Sequence, residues 1–131
     1  MKVEIVGVGS VDTAVQVSFR CSCGSGAGKW IGEVPRLGDE KEVEFDTDEE
    51  LRLGGNATLA VLQQATIGES VGEVQLTAQL VAKHEDVGTG RFSFDDGRIE
   101  VEAADADLSG WEVGNWYTLR LADLVVFDTD I

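Results

Sequence analysis

Cys21-Ser22-Cys23 is the first place in the sequence where side chains could do chemistry. Two thiols one residue apart can offer two thiolates to zinc, but a closed zinc site takes about four ligands. The chain has one histidine, His84, and no second cysteine pair. On an extended strand the two side chains stand too far apart for a good disulfide. Alternation from Thr13 to Cys23 puts both sulfurs on the apolar face with Val17 and Phe19. The pattern therefore predicts buried, inert thiols, with an intersubunit metal site and a reactive thiol as the alternatives. His84 stands in Lys83-His84-Glu85-Asp86 and reads as an exposed turn, with nothing to orient a Cys–His pair.

Gly24-Ser25-Gly26-Ala27-Gly28-Lys29 invites comparison with a phosphate loop. The Walker pattern needs a glycine separated by four residues from the Gly-Lys pair, and Ser or Thr after the lysine. Those positions hold Cys23 and Trp30, so the metal-ligand position fails and a flexible hairpin loop is expected. Acidic clusters recur at Asp46-Thr47-Asp48-Glu49-Glu50, Asp95-Asp96, Asp105-Ala106-Asp107 and Asp128-Thr129-Asp130. None spells a calcium-binding loop with its central glycine and terminal glutamate, so solvated carboxylates are the expectation, with a partner-binding edge and a calcium or magnesium site as the alternatives. No cofactor and no metal site is assigned.

Trp111, Trp116 and Tyr117 lie close together among acids, whereas Trp30 stands apart and is expected to pack over a barrel end. Aromatics inside a charged rim anchor protein interfaces, although core or rim packing accounts for them too. Asp105, Asp107, Trp111, Glu112 and Trp116 form the candidate partner-binding set.

These residues need a scaffold, and the composition allows one. A chain of 131 residues, 43% apolar and 27% charged, can bury a core without disulfides or metals. The expected organisation is a single β-rich domain over residues 1–131, with a candidate internal repeat of residues 1–53 and 70–131. The start Met1-Lys2-Val3-Glu4-Ile5 has no signal-peptide pattern, and no apolar run reaches the length of a membrane span, so a cytoplasmic location is expected.

The net charge of −15 leaves little basic surface for phosphates and disfavours nucleic acid as a partner. Both halves are acidic, the second more so. Solubility, adaptation to high salt and a face that meets a basic partner all explain such a charge.

Hydrophobic periodicity predicts strands over Lys2–Val8, Thr13–Cys23, Lys29–Val34 and Glu42–Asp46. In the second half, strands are expected at Val74–Leu80, Arg91–Phe94, Arg98–Ala103, Tyr117–Leu121 and Leu124–Phe127. Asp95-Asp96-Gly97 carries the strongest hairpin signal. Asn56 as cap and Gly68 as stop predict one helix over residues 57–66, and Asp48–Leu53 allows a short helical turn.

Val17-Ser18-Phe19 and Phe92-Ser93-Phe94 share an offset with Ile5 and Leu80, and Gly38, Val43 and Phe45 match Gly114, Leu119 and Leu121 at nearly the same one. Phe45-Asp46-Thr47-Asp48 and Phe127-Asp128-Thr129-Asp130 suggest a conflicting offset.

The expected architecture is mainly β, an antiparallel small barrel or sandwich with one central helix. An oligonucleotide-binding-type barrel is one candidate topology, from pattern alone. The leading expectation for function is a small acidic protein-binding module or inhibitor. It would engage a basic protein, as immunity proteins, antitoxins or phage-encoded inhibitors do, and would not be an enzyme. A structural or assembly subunit, for instance of a phage particle, that self-associates as a homo-oligomer is the alternative. A small-ligand or oligonucleotide-binding-type barrel comes third.

Overall fold

The structure, a computed structural model, describes residues 1–129, so Asp130 of the last acidic cluster lies outside the described residues. Among the described residues twelve strands follow one another: β1 (Lys2–Val11), β2 (Ala14–Cys21), β3 (Gly24–Ile31), β4 (Glu40–Thr47), β5 (Glu50–Leu51), β6 (Ala57–Leu59), β7 (Thr66–Ser70), β8 (Glu73–His84), β9 (Thr89–Phe94), β10 (Gly97–Ala103), β11 (Trp116–Leu121) and β12 (Leu124–Asp128). Among the described residues no helix is long and apolar enough to cross a membrane.

Strands β1, β2 and β3 form a meander, and β4 returns to lie antiparallel beside β1, giving the Greek-key order 4-1-2-3. β12 then fits between β3, to which it is parallel, and β4, to which it is antiparallel, and closes a five-stranded barrel. β7 lies antiparallel to β8 and meets β3 in parallel where Ile67 faces Gly24, and the strands after it repeat the first pairing pattern. β8, β9 and β10 form a second meander, and β11 returns antiparallel to β8. The segment holding β5 and β6 completes the ring, β5 running parallel to β10 and β6 antiparallel to β11.

The correspondence extends to irregularities. β1 bulges between Ile5 and Gly7, and β8 bulges between Leu80 and Ala82. Gly38 N–H donates to the Ile5 carbonyl and Gly114 N–H to the Leu80 carbonyl, both at 2.8 Å. Ile5 N–H donates in turn to Asp39, and Leu80 N–H to Asn115. Phe45-Asp46 and Phe127-Asp128, whose similarity suggests the conflicting offset, belong to neighbouring strands of one ladder, with Phe45 opposite Val126.

Each ring takes its fifth strand from the other half. β4 belongs to the first ring, but the chain leaves it through residues 48–49 into β5, which serves the second. β11 belongs to the second ring, but the chain leaves it through residues 122–123 into β12, which serves the first. One continuous core fills both rings, and the rings of Phe19, Phe45 and Phe94 join the two interiors at centroid distances of 5.5 and 5.4 Å.

The central helix expected over residues 57–66 is absent. Ala57–Leu59 is strand β6, residues 60–65 form a connection, and Thr66 begins β7. Asn56 caps no helix: its side-chain oxygen accepts from the Arg52 N–H at 2.8 Å, and its amide donates to the Glu50 carbonyl at 3.0 Å. It thereby fixes the turn that lets Ala57 pair with Leu119 and bury completely. The helical turn allowed at Asp48–Leu53 is replaced by β5, whose Leu51 is core.

The glycine-rich stretch is a strand, not a flexible loop. Its amides are committed to β2 and its far end to β12, which leaves no phosphate cradle. Gly26 and Gly28 face inward, where a Cβ would press on the Phe19 ring or on the Leu124 carbonyl. The glycines admit a bulky core and close backbone approach.

Candidate functional site

The excursion between β10 and β11 holds most of the candidate contact residues. It begins with the 3-10 turn Ala104–Ala106, in which Asp105 and Ala106 have positive φ. It ends at Gly114-Asn115, tied to the β8 backbone at Leu80.

Its centre is pinned from below by Trp111, only 4% exposed. The indole lies 4.7 Å from the Tyr117 ring and 5.7 Å, edge to face, from Phe92. Such aromatic pairs add about 0.5–1.5 kcal/mol each beyond the area they bury. The Tyr117 hydroxyl accepts from the Glu112 N–H at 2.9 Å. From β8 the Lys83 ammonium donates to two loop carbonyls, Leu108 at 3.2 Å and Trp111 at 2.8 Å. Leu108 is buried as a second apolar anchor.

The carboxylates point outward from this pinned loop. Asp107 accepts from the backbone N–H and the hydroxyl of Ser109, at 2.9 and 2.6 Å, and these bonds hold its carboxyl below the usual carboxylate range. Asp105 is exposed and meets the Arg52 guanidinium at 3.4 Å. Glu112 is exposed and lies 3.5 Å from the Asn115 amide. Trp116 is half-buried on the outward face of β11, opposite Gln79.

The structure therefore gathers Asp105, Asp107 and Glu112 on one loop, with Trp116 where that loop rejoins the sheet. It places Trp111 elsewhere: its ring is core, and it serves the loop as a foundation. Lys83 and Tyr117 are the residues that sequence reasoning missed as positioning groups. Their roles depend on β8 and β11 lying side by side, and no local pattern signals that pairing.

The other candidates disperse. His84 ends β8, where its Nε2 lies 3.8 Å from Glu100, itself paired with Arg91 at 2.8 Å. Among the described residues no group of three or more His, Cys, Asp or Glu gathers in a way that could hold a metal ion. An open groove of about 500 Å³ runs along the connection from β11 to β12, lined by Lys29, Asp48, Glu69, Glu73 and Asp123. Trp30 is buried, with its indole N–H donating to the Glu33 carbonyl at 2.8 Å.

Cys21 and Cys23 differ from the expected geometry. β2 ends at Cys21, Ser22 and Cys23 form a two-residue turn, and the two sulfurs lie 3.6 Å apart. Both cysteines are half-buried and not enclosed.

Compared with known protein families, characterised proteins and solved structures, the chain matches none.

Proposed function

We propose that the protein is a small non-enzymatic binding module that engages a basic protein through the carboxylates of the 104–115 loop, as an inhibitor or immunity-type protein does. The observation that carries this reading is the way the loop is held. Asp105, Asp107 and Glu112 reach solvent from a backbone that Trp111, Leu108, Lys83 and Tyr117 fix to the core. A prepositioned set of like charges loses little conformational freedom on binding and steers an oppositely charged partner. The half-buried Trp116 supplies apolar contact at the edge of that set. The net charge of −15 extends the attractive field over the whole surface.

The test is capture from the native host's lysate with tagged protein, followed by affinity measurements on the recovered partner. The expected partner is basic and is released by raised salt. Asp107→Lys with Glu112→Lys should weaken binding by at least about tenfold, since like charges placed against a basic face cost several kcal/mol, and should flatten its salt dependence. Unchanged affinity in that double variant would remove the loop from the interface.

A second reading, a self-associating structural subunit, is favoured by one feature. Among the described residues β6 pairs with β11 and, apart from one bridge from Ala57 to Leu53, with no other segment, and beside it Leu59, Val61 and Leu62 are exposed, Val61 at 97%. An open edge next to apolar side chains is a template for pairing with another copy. Light scattering at physiological salt separates the two readings, because a clean monomer is incompatible with this one.

A further inference from the structure

The turn between β2 and β3 brings two thiols into contact and then fixes them there. The Ser22 hydroxyl donates to the Asp95 carboxylate of the turn between β9 and β10. The Ile67 N–H donates to the Cys23 carbonyl at 3.1 Å. Gly24, at φ +142, passes so close to β7 that a Cβ there would collide with the Ile67 carbonyl. The sulfurs stand 3.6 Å apart, in direct contact, against a bond length of about 2.05 Å. Since both cysteines are half-buried, a small reagent can reach the pair.

We propose that Cys21 and Cys23 form a reversible dithiol–disulfide couple that exchanges with small-molecule disulfides. The Cys21 thiolate attacks one sulfur of the incoming disulfide, whose S–S bond breaks and releases one thiolate. That thiolate takes a proton from the solvent. The Cys23 thiol gives up its proton and attacks the Cys21 sulfur, breaking the mixed disulfide and releasing the second thiolate, which is protonated in turn. The protein loses two electrons and two protons, and the small disulfide becomes two thiols. A bridge across a single intervening residue is strained, so it is readily reduced and suits exchange better than a permanent staple.

The assignment of roles follows from the surroundings of the two sulfurs. The hydrogen bond between the two sulfurs, joined by the Cys23 and Gly24 N–H groups, favours a thiolate at Cys21 and lowers its ionisation to about 6 despite partial burial. The proton left on Cys23 is held above the ordinary thiol range by the neighbouring negative sulfur and by desolvation. The pair titrates as a unit: its first proton leaves easily and its second reluctantly. Cys21, whose sulfur also has the Gly24 N–H beside it, takes the attacking role and Cys23 the resolving one.

The experiment exposes the purified, folded protein to graded mixtures of oxidised and reduced glutathione at pH 7, traps free thiols with N-ethylmaleimide and reads the intact mass. The expected product is a monomer lacking two hydrogens that takes up no label, with both thiols restored by dithiothreitol. Cys23→Ser should stop at a single glutathione adduct. Its alkylation profile should also move from a midpoint of about 6 toward the ordinary thiol value of about 8.5. Persistent glutathione adducts on the unsubstituted protein, disulfide-linked dimers or unreacted thiols would each overturn the proposal, and none of these readouts requires a variant to fold.

Discussion

At the scale of single residues, Trp111 shows how one side chain can look like a contact and act as a foundation. An aromatic among Asp, Glu and Gly has the composition of an interface rim, yet the indole packs against Phe92 and Tyr117 under the loop. Trp111→Ala should destabilise the protein by about 3–5 kcal/mol, the usual cost of deleting a buried aromatic, as measured by urea unfolding. Trp116→Ala, at a half-buried outward position, should cost clearly less, and equal losses would contradict the placement of the two rings. The exposed acids were legible in the sequence because charge reports exposure directly. The division of labour between the tryptophans was not, because it depends on Tyr117 and Lys83 arriving from strands paired across the fold. The cysteines were half legible: alternation places their sulfurs on one side, but it continues the strand through Cys23 where the structure turns at Ser22 and Cys23.

At the scale of elements, alternation identified most strands, and the hairpin signalled by Asp95-Asp96-Gly97 forms, with Asp95 and Asp96 as its turn residues in place of an Asp-Gly turn, and Gly97 in β10 paired with Phe94. The helix failed because propensity was outweighed by pairing. Ala57 and Leu59 gain a partner strand and, for Ala57, complete burial, whereas a helix from Asn56 would forfeit both. The glycine-rich stretch failed for a related reason, since glycine marks close approach within a strand as well as freedom in a loop. Gly24 tests this. Gly24→Ala meets both a positive φ and the Ile67 carbonyl, so it should cost well over 1 kcal/mol. Gly68→Ala, with open space at its Cβ, serves as the control and should shift the unfolding midpoint little. Similar losses in the two variants would mean that β7 does not approach the turn as described.

At the scale of the whole molecule, the rings are bound to one another by exchange of their fifth strands, with a shared core behind them. A cleavable site introduced between Leu62 and Gln63, in the exposed connection before β7, should therefore yield two fragments that stay together. Native mass spectrometry and size-exclusion chromatography should show one complex, separable only in denaturant. Fragments that part at micromolar concentration while each keeps its β-sheet spectrum would show that the rings are independent. The chain's long-range pairing also places it among topologies that fold slowly, because distant segments must meet before their contacts reward the loss of freedom.

The position of β12 has a consequence for biosynthesis. A ribosome releases β1 to β4 well before residues 124–128 exist, so the seam between β3 and β4 stays open throughout that interval. The emerging chain carries unsatisfied strand edges, which are prone to pair with the wrong neighbour. Closure of the first barrel waits for almost the whole of this sequence to be translated, and the abundant acidic charge helps keep the waiting chains apart.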